Sequence, residues 1–124
     1  MRALLDTHAF LWWRADDGAL QHDARTAIAK AEAVFVSAAS AWEVAIKIAL
    51  GKLRIPGPFA EAVEASRFNE LPISFRHATV AGGLPPHHTD LFDRMLVAQA
   101  MSDGLTLVTH DRAFSPYAVS IVLT

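Results

Sequence analysis

Asp6, Glu43, Asp93 and Asp111 stand where apolar runs give way to helix-like segments. Asp6 follows MRALL, Glu43 lies in SAASAWEVAIK, Asp93 in TDLFDRMLVAQA, and Asp111 follows LTLVT. The runs before Asp6 and Asp111 read as buried parallel strands, and such sheets bind ligands beyond the carboxyl ends of their strands. Carboxylates gathered at that edge repel one another unless cations sit between them. The set therefore predicts a site for Mg²⁺ or Mn²⁺, hard ions that take oxygen ligands. The chain offers no His–Cys ligand cluster and no Gly-rich phosphate loop. Metal-assisted hydrolysis is thus favoured over nucleoside triphosphate chemistry.

Each acid also has an ordinary explanation. Asp6 can cap the helix that starts at Thr7, and Asp90 and Asp93 both suit the first turn of theirs. Asp111, between a strand and Arg112, can be a plain turn residue. Glu43 lies among Trp42, Val44, Ala45, Ile46 and Ile48. Buried glutamate is rare unless paired, and Lys47, one helical turn on, offers a salt bridge. The joint pattern carries more information than any member.

The elements that must position these acids follow from periodicity and punctuation. ALLD (3–6), AVFVS (33–37), LPIS (71–74), LTLVT (105–109) and VSIVL (119–123) read as strands. Helices are expected in THAFLWWRAD, in DARTAIAKAEA from Asp23, and in SAASAWEVAIKIALGK with Ser37 or Ser40 as cap and Gly51 as stop. FAEAVEASRF follows a turn at Pro56 and Pro58, FRHATVAGG is expected to close at Gly82 and Gly83, and DLFDRMLVAQAMSDG ends at Gly104. LPPHHTD (84–90) and HDRAFSPY read as loops. Strands alternating with helices call for a mostly parallel sheet between helical layers, a three-layer α/β/α domain spanning 1–124.

Composition sets the class. At 124 residues, 52% hydrophobic and 19% charged, the chain suits one globular domain with a substantial core. No apolar stretch approaches the ~20 residues of a membrane span. An aspartate at position 6 comes too early for a secretory signal, and there is no cysteine for disulfides or thiolate metal sites. A cytoplasmic protein is the expectation. The net charge of −2 argues against a dedicated nucleic-acid-binding module but not against a nuclease, whose bound cations contact phosphate themselves.

LLDTHAFLWW, SAASAWEVAIKIALGKL, LPPHHTDLFDRMLVAQA and LTLVTHD together resemble the successive motifs of PIN-domain proteins, specifically VapC-type toxins of toxin–antitoxin pairs. The resemblance covers essentially the whole chain. It implies a PIN fold and a Mg²⁺- or Mn²⁺-dependent endoribonuclease that leaves 5′-phosphate and 3′-hydroxyl ends. A cognate antitoxin would hold it inactive. Carried over by motif, Asp6, Glu43, Asp93 and Asp111 are the catalytic, metal-binding acids, with Asp6 and Asp93 the firmest ligands and Glu43 and Asp111 ligating directly or through water. Thr109 supports the site by hydrogen bonding, and Asp90 is a reserve ligand. Leu91 stands where related sequences commonly carry proline. The rival readings are an RNA-binding PIN-fold module without nuclease activity and a metal-dependent nuclease acting on DNA.

Other residues yield weaker expectations. His87 and His88, adjacent on an irregular loop with no cysteine nearby, suggest surface histidines, or loop histidines facing the site, rather than a zinc pair. His8 and His110 flank Asp6 and Asp111 and are expected to line the cleft. Trp12 and Trp13 cannot easily point the same way on a helix, so one is expected in the core and one at an interface. Apolar content suggests a homodimer. Arg14, Lys47, Lys52, Arg54, Arg94 and Arg112 are candidates for phosphate contacts.

Overall fold

The apolar run after Arg2 forms β1 (Arg2–Leu5), the middle strand of a five-stranded sheet ordered β3-β2-β1-β4-β5. The computed structural model describes residues 1–124. Along the chain β1 is followed by α1 (Thr7–Ala15), α2 (His22–Lys30), β2 (Ala33–Ser37), α3 (Ala38–Ala49) and α4 (Phe59–Ala65). Then come β3 (Asn69–Leu71), α5 (Phe75–Gly83), α6 (Leu91–Asp103), β4 (Thr106–Thr109), a 3₁₀ turn (Arg112–Phe114) and β5 (Ile121–Leu123). All four strand pairings are parallel. That pattern requires crossover connections; pairs of helices supply those from β1 to β2, β2 to β3 and β3 to β4, and the segment with the 3₁₀ turn supplies that from β4 to β5. The chain winds outward from β1 to β2 and β3, then returns to lay β4 and β5 on its other side.

Alternation along the strands divides the core in two. Ala3 and Leu5 of β1 face Phe10, Ala24, Ile28 and Val63 of α1, α2 and α4. Leu4 faces the opposite way, onto Leu96, Val97, Ala81 and Phe114. The near-continuous burial of β1 and β4 is what a central parallel strand covered on both faces demands. The result is the expected α/β/α sandwich. No helix is long and apolar enough to cross a membrane.

Several boundaries differ from the sequence expectation. The third strand is Asn69–Leu71, not 71–74; Phe35, Val36 and Ser37 pair with Asn69, Glu70 and Leu71. It is an edge strand with two exposed polar residues, so it carries no apolar run, and Pro72 brings no N–H to extend the ladder. Helix α5 runs through Gly82 and Gly83, neither of which has a positive φ. Its stop comes from Pro85, which disfavours helical backbone at Leu84. Helix α2 begins at His22, one residue before Asp23. The last strand shortens to Ile121–Leu123, and part of the HDRAFSPY loop closes as the 3₁₀ turn.

Candidate metal centre

The order of the sheet reverses between β1 and β4, and ligand crevices of open α/β sheets form at such a point, beyond the strand carboxyl ends. Asp6 and Asp111 leave those two strands side by side. The Asp6 amide donates to Val108 O at 3.0 Å, which extends the β1–β4 ladder into the site. Asp6 is 5% exposed, and both carboxylate oxygens are engaged: Oδ1 accepts from the Ala9 amide at 2.7 Å and Oδ2 from the Thr109 hydroxyl at 2.6 Å. Thr109, fully buried, also accepts from the Asp111 amide at 3.0 Å. One hydroxyl thus ties the ends of both strands together.

Glu43 reaches the same edge from the middle of α3. Thr7 Oγ1 lies 2.7 Å from Glu43 Oε1 and 2.9 Å from Ser40 Oγ, so it donates to the carboxylate and accepts from Ser40. Glu43 Oε2 meets Lys47 Nζ at 3.0 Å. The expected i,i+4 pair is therefore present, and Glu43 remains part of the acidic cluster. Helix α3 starts at the Ser37 cap, whose hydroxyl accepts from the Ala39 amide and donates to Gln99 Oε1 of α6. That bond fixes α3 and α6, which carry Glu43 and Asp93, relative to each other.

Asp90 caps α6, with Oδ1 accepting the Asp93 amide at 3.0 Å. The helix starts at Leu91, directly after this cap. Asp111 caps the 3₁₀ turn, accepting from the Ala113 amide at 2.8 Å. Asp6, Asp90 and Asp111 are thus N-caps as well as members of the cluster.

Asp93 differs. Its carboxylate accepts no hydrogen bond, whereas those of Asp6, Glu43, Asp90 and Asp111 all do. Burial, then the charges of Asp90, Glu43, Asp111 and Asp6, raise its pKa from 3.8 to about 7. Burial also raises Asp6, opposed by the Thr109 hydroxyl, the Ala9 amide and the charges of His110 and His8. Acids held this close, with Lys47 paired to only one of them, form the donor set that a divalent cation neutralises. The residues fit such an ion.

Of the two sequence readings of His88, the loop histidine facing the site is the one the structure takes. It is no surface residue: its side chain is 8% exposed and stacks on Phe114 and Tyr117 at centroid distances of 4.6 and 5.5 Å. One ligand atom from each of His88, Asp93 and Asp111 lies within 4.8 Å of the others. His87 instead packs edge-on to Tyr117. The loop carrying both is held by Arg94, whose guanidinium donates to Ala81 O, Leu84 O and Pro85 O at 2.8, 3.0 and 3.2 Å. Arg94 is therefore a loop clamp rather than a phosphate contact. The aromatic residues over His88 lie more than twenty positions away, a pairing that local sequence pattern does not reveal.

Beside the acids lies a groove of about 860 Å³ between α1 and the 52–59 segment. Leu11, Ile55 and Phe59 line it together with Arg14, Lys47, Lys52 and Arg54. His8 lines it beside Thr7, with the His110 ring 5.4 Å from His8 and Trp12 packed on His110 at 4.9 Å. Trp13 turns to Phe68, with Arg25 over its ring. Both tryptophans are half-buried, so neither is a wholly internal residue.

Comparison with known proteins gives this geometry its family. Residues 3–119 match the family model described as PIN domain. The chain is 31% identical over 112 residues to ribonuclease VapC22 of Mycobacterium tuberculosis, covering 88% of this chain and 86% of that protein. Its fold is similar to a chain of VapBC2 from Rickettsia felis bound to a promoter DNA fragment, with TM-score 0.75, 15% identity, and coverage of 100% of this chain and 99% of the other. A toxin–antitoxin complex from Klebsiella pneumoniae contains a chain similar at TM-score 0.68 and 21% identity, covering 97% of this chain and 95% of the other. With the acids at the switch point of an all-parallel sheet and this match along nearly its whole length, the chain belongs to the PIN-domain family and is of the VapC type.

Proposed function

We propose that this chain is the toxin of a toxin–antitoxin pair, an endoribonuclease that hydrolyses RNA phosphodiester bonds with Mg²⁺ or Mn²⁺. Asp6, Glu43, Asp93 and Asp111 are its metal-binding, catalytic acids, with Thr109 in support and Asp90 in reserve. One observation carries the reading: the Asp93 carboxylate, without a hydrogen bond and among four other acids, at the sheet's switch point. A divalent cation bound there supplies charge neutralisation at the phosphate and a more acidic water.

The chain's own groups do the positioning. Thr109 and the Ala9 amide oppose the upward pull of burial on Asp6, since hydrogen bonds to a carboxylate favour its charged form. Thr7 fixes the orientation of Glu43. Lys47 belongs to both the acidic cluster and the groove, so a strand whose phosphates meet Arg14, Lys52 and Arg54 is led to the acids. The apolar floor of the same groove suits an amphipathic antitoxin segment, whose seating there blocks RNA. The single domain acts in the cytoplasm as a homodimer, and the exposed apolar side chains Trp42, Ile73 and Leu91 offer the face for a second copy.

The test is incubation of the purified, antitoxin-free chain with total RNA, single-stranded DNA and duplex DNA in Mn²⁺ or Mg²⁺. RNA cleavage abolished by EDTA supports the reading. Cleavage of DNA alone would make the chain a DNA nuclease, and RNA binding with no cleavage would make it a silent binding module.

A further inference from the structure

The loop histidine His88 has an imidazole nitrogen with nothing to bond to. Its Nε2 is buried, makes no hydrogen bond, and points at the acids, 3.6 Å from Asp111 Oδ2 and beyond hydrogen-bonding length. A buried unpaired polar atom is costly unless something completes it. The other ring nitrogen explains which face is free. Nδ1 lies 3.3 Å from the Tyr117 hydroxyl, and that hydroxyl donates its only proton to Pro85 O, also at 3.3 Å. The Tyr117 oxygen can then only accept, so Nδ1 carries the ring proton and Nε2 presents a lone pair to the cluster. Stacking on Phe114 and the Arg94 clamp fix the plane of the ring and the course of its loop.

We infer that His88 Nε2 is a nitrogen ligand, joined with Asp93 and Asp111 on one cation, and that it selects Mn²⁺ over Mg²⁺. The inference rests on the cation reading proposed above. The three ligand atoms lie within 4.8 Å of one another. Around one octahedral ion with ligands at about 2.2 Å, neighbouring ligand atoms lie about 3.1 Å apart and opposite ones about 4.4 Å. His88 Nε2 and Asp111 Oδ2, 3.6 Å apart, already stand near a neighbouring pair, and side-chain shifts of up to about 1.7 Å bring all three onto one ion. Mg²⁺ prefers oxygen and keeps its waters, whereas imidazole adds affinity for transition-row ions. An all-carboxylate centre lacks that discrimination. The Tyr117–His88 contact is then the outer-sphere bond that sets the tautomer of a metal-binding imidazole.

The experiment uses the full chain and Mn²⁺ alone as probe. Electron spin-echo modulation of bound Mn²⁺ is expected to show a directly coordinated ¹⁴N, retained in His87→Gln and lost in His88→Gln. Calorimetry on the same proteins is expected to show Mn²⁺ affinity falling about tenfold in His88→Gln, with Mg²⁺ affinity changed less than about twofold. Mn²⁺ bound to the wild-type chain without a nitrogen signal would overturn the inference and leave the carboxylate site standing. Failure of Mn²⁺ to bind the wild-type chain would overturn the cation reading itself, and this inference with it. The wild-type spectrum decides even if His88→Gln fails to fold.

Discussion

Asp93→Asn is expected to act in opposite directions on stability and on metal binding. The Asp93 carboxylate has no hydrogen bond to lose, and asparagine keeps its shape while removing one charge from a crowded set. A carboxyl pKa raised from 3.8 to about 7 corresponds to roughly 4 kcal/mol against the ionised form. The group is partly open to solvent, which screens its neighbours and reduces the recoverable share to about 1–2 kcal/mol. At pH 8 in EDTA the variant should therefore melt above the wild type by about 4–8 °C, given roughly 4 °C per kcal/mol for a chain of this size. With saturating Mn²⁺ the wild type gains stability and the variant does not, because the ion has lost a ligand. Thermal unfolding of both proteins, with and without Mn²⁺, reads out both effects. A variant less stable than wild type in EDTA, or one that Mn²⁺ still stabilises fully, would refute the reasoning.

The same shift gives a pH dependence. Between pH 3.8 and about 7 the folded chain holds a proton on Asp93 that the unfolded chain has released, so stability is greatest at low pH and declines as pH rises. Asp6, raised as well, acts in the same direction. Urea midpoints in EDTA should fall from pH 5.5 to pH 8 and should fall less steeply in Asp93→Asn; equal slopes would count against it. Thr109→Val removes the donor to buried Asp6 Oδ2 and strands the Asp111 amide, at an expected cost of about 2–3 kcal/mol by urea unfolding, with Thr109→Ser recovering most of it. Arg94→Met frees the carbonyls of Ala81, Leu84 and Pro85, so limited proteolysis should cut within 84–90 in the variant first. An unchanged cleavage pattern would show that the loop holds itself.

The strongest sequence signals were those governed by burial on both faces. β1, β2 and β4 carry apolar, mostly buried runs because helices cover both sides, and each one delivers its residues to the sheet's carboxyl edge. The acids were visible because each follows such a run or sits in a helix whose pattern is plain. β3 was displaced because an edge strand with Asn69 and Glu70 outward has no apolar signature. The clamp role of Arg94, and which of its two readings His88 takes, were hidden for a shared reason. A histidine in a proline-rich loop and an arginine in a first helical turn look solvent-facing until Phe114 and Tyr117 cover the one and loop carbonyls surround the other. Contacts of that kind are set by the packed fold, not by neighbours in the chain. The capping role of Asp6 was legible too, while Asp90 reads as a first-turn acid and Asp111 as a turn residue; all three are N-caps, and capping proved compatible with cluster membership rather than alternative to it.

The central claim is that this acidic cluster hydrolyses RNA. Sequencing 5′-monophosphate RNA ends after brief induction of the wild-type chain and of Asp93→Asn tests it most directly. A discrete set of new ends with the wild type, absent with the variant although it folds, is the predicted result. No new ends with the wild type, or the same ends with Asp93→Asn, would contradict it.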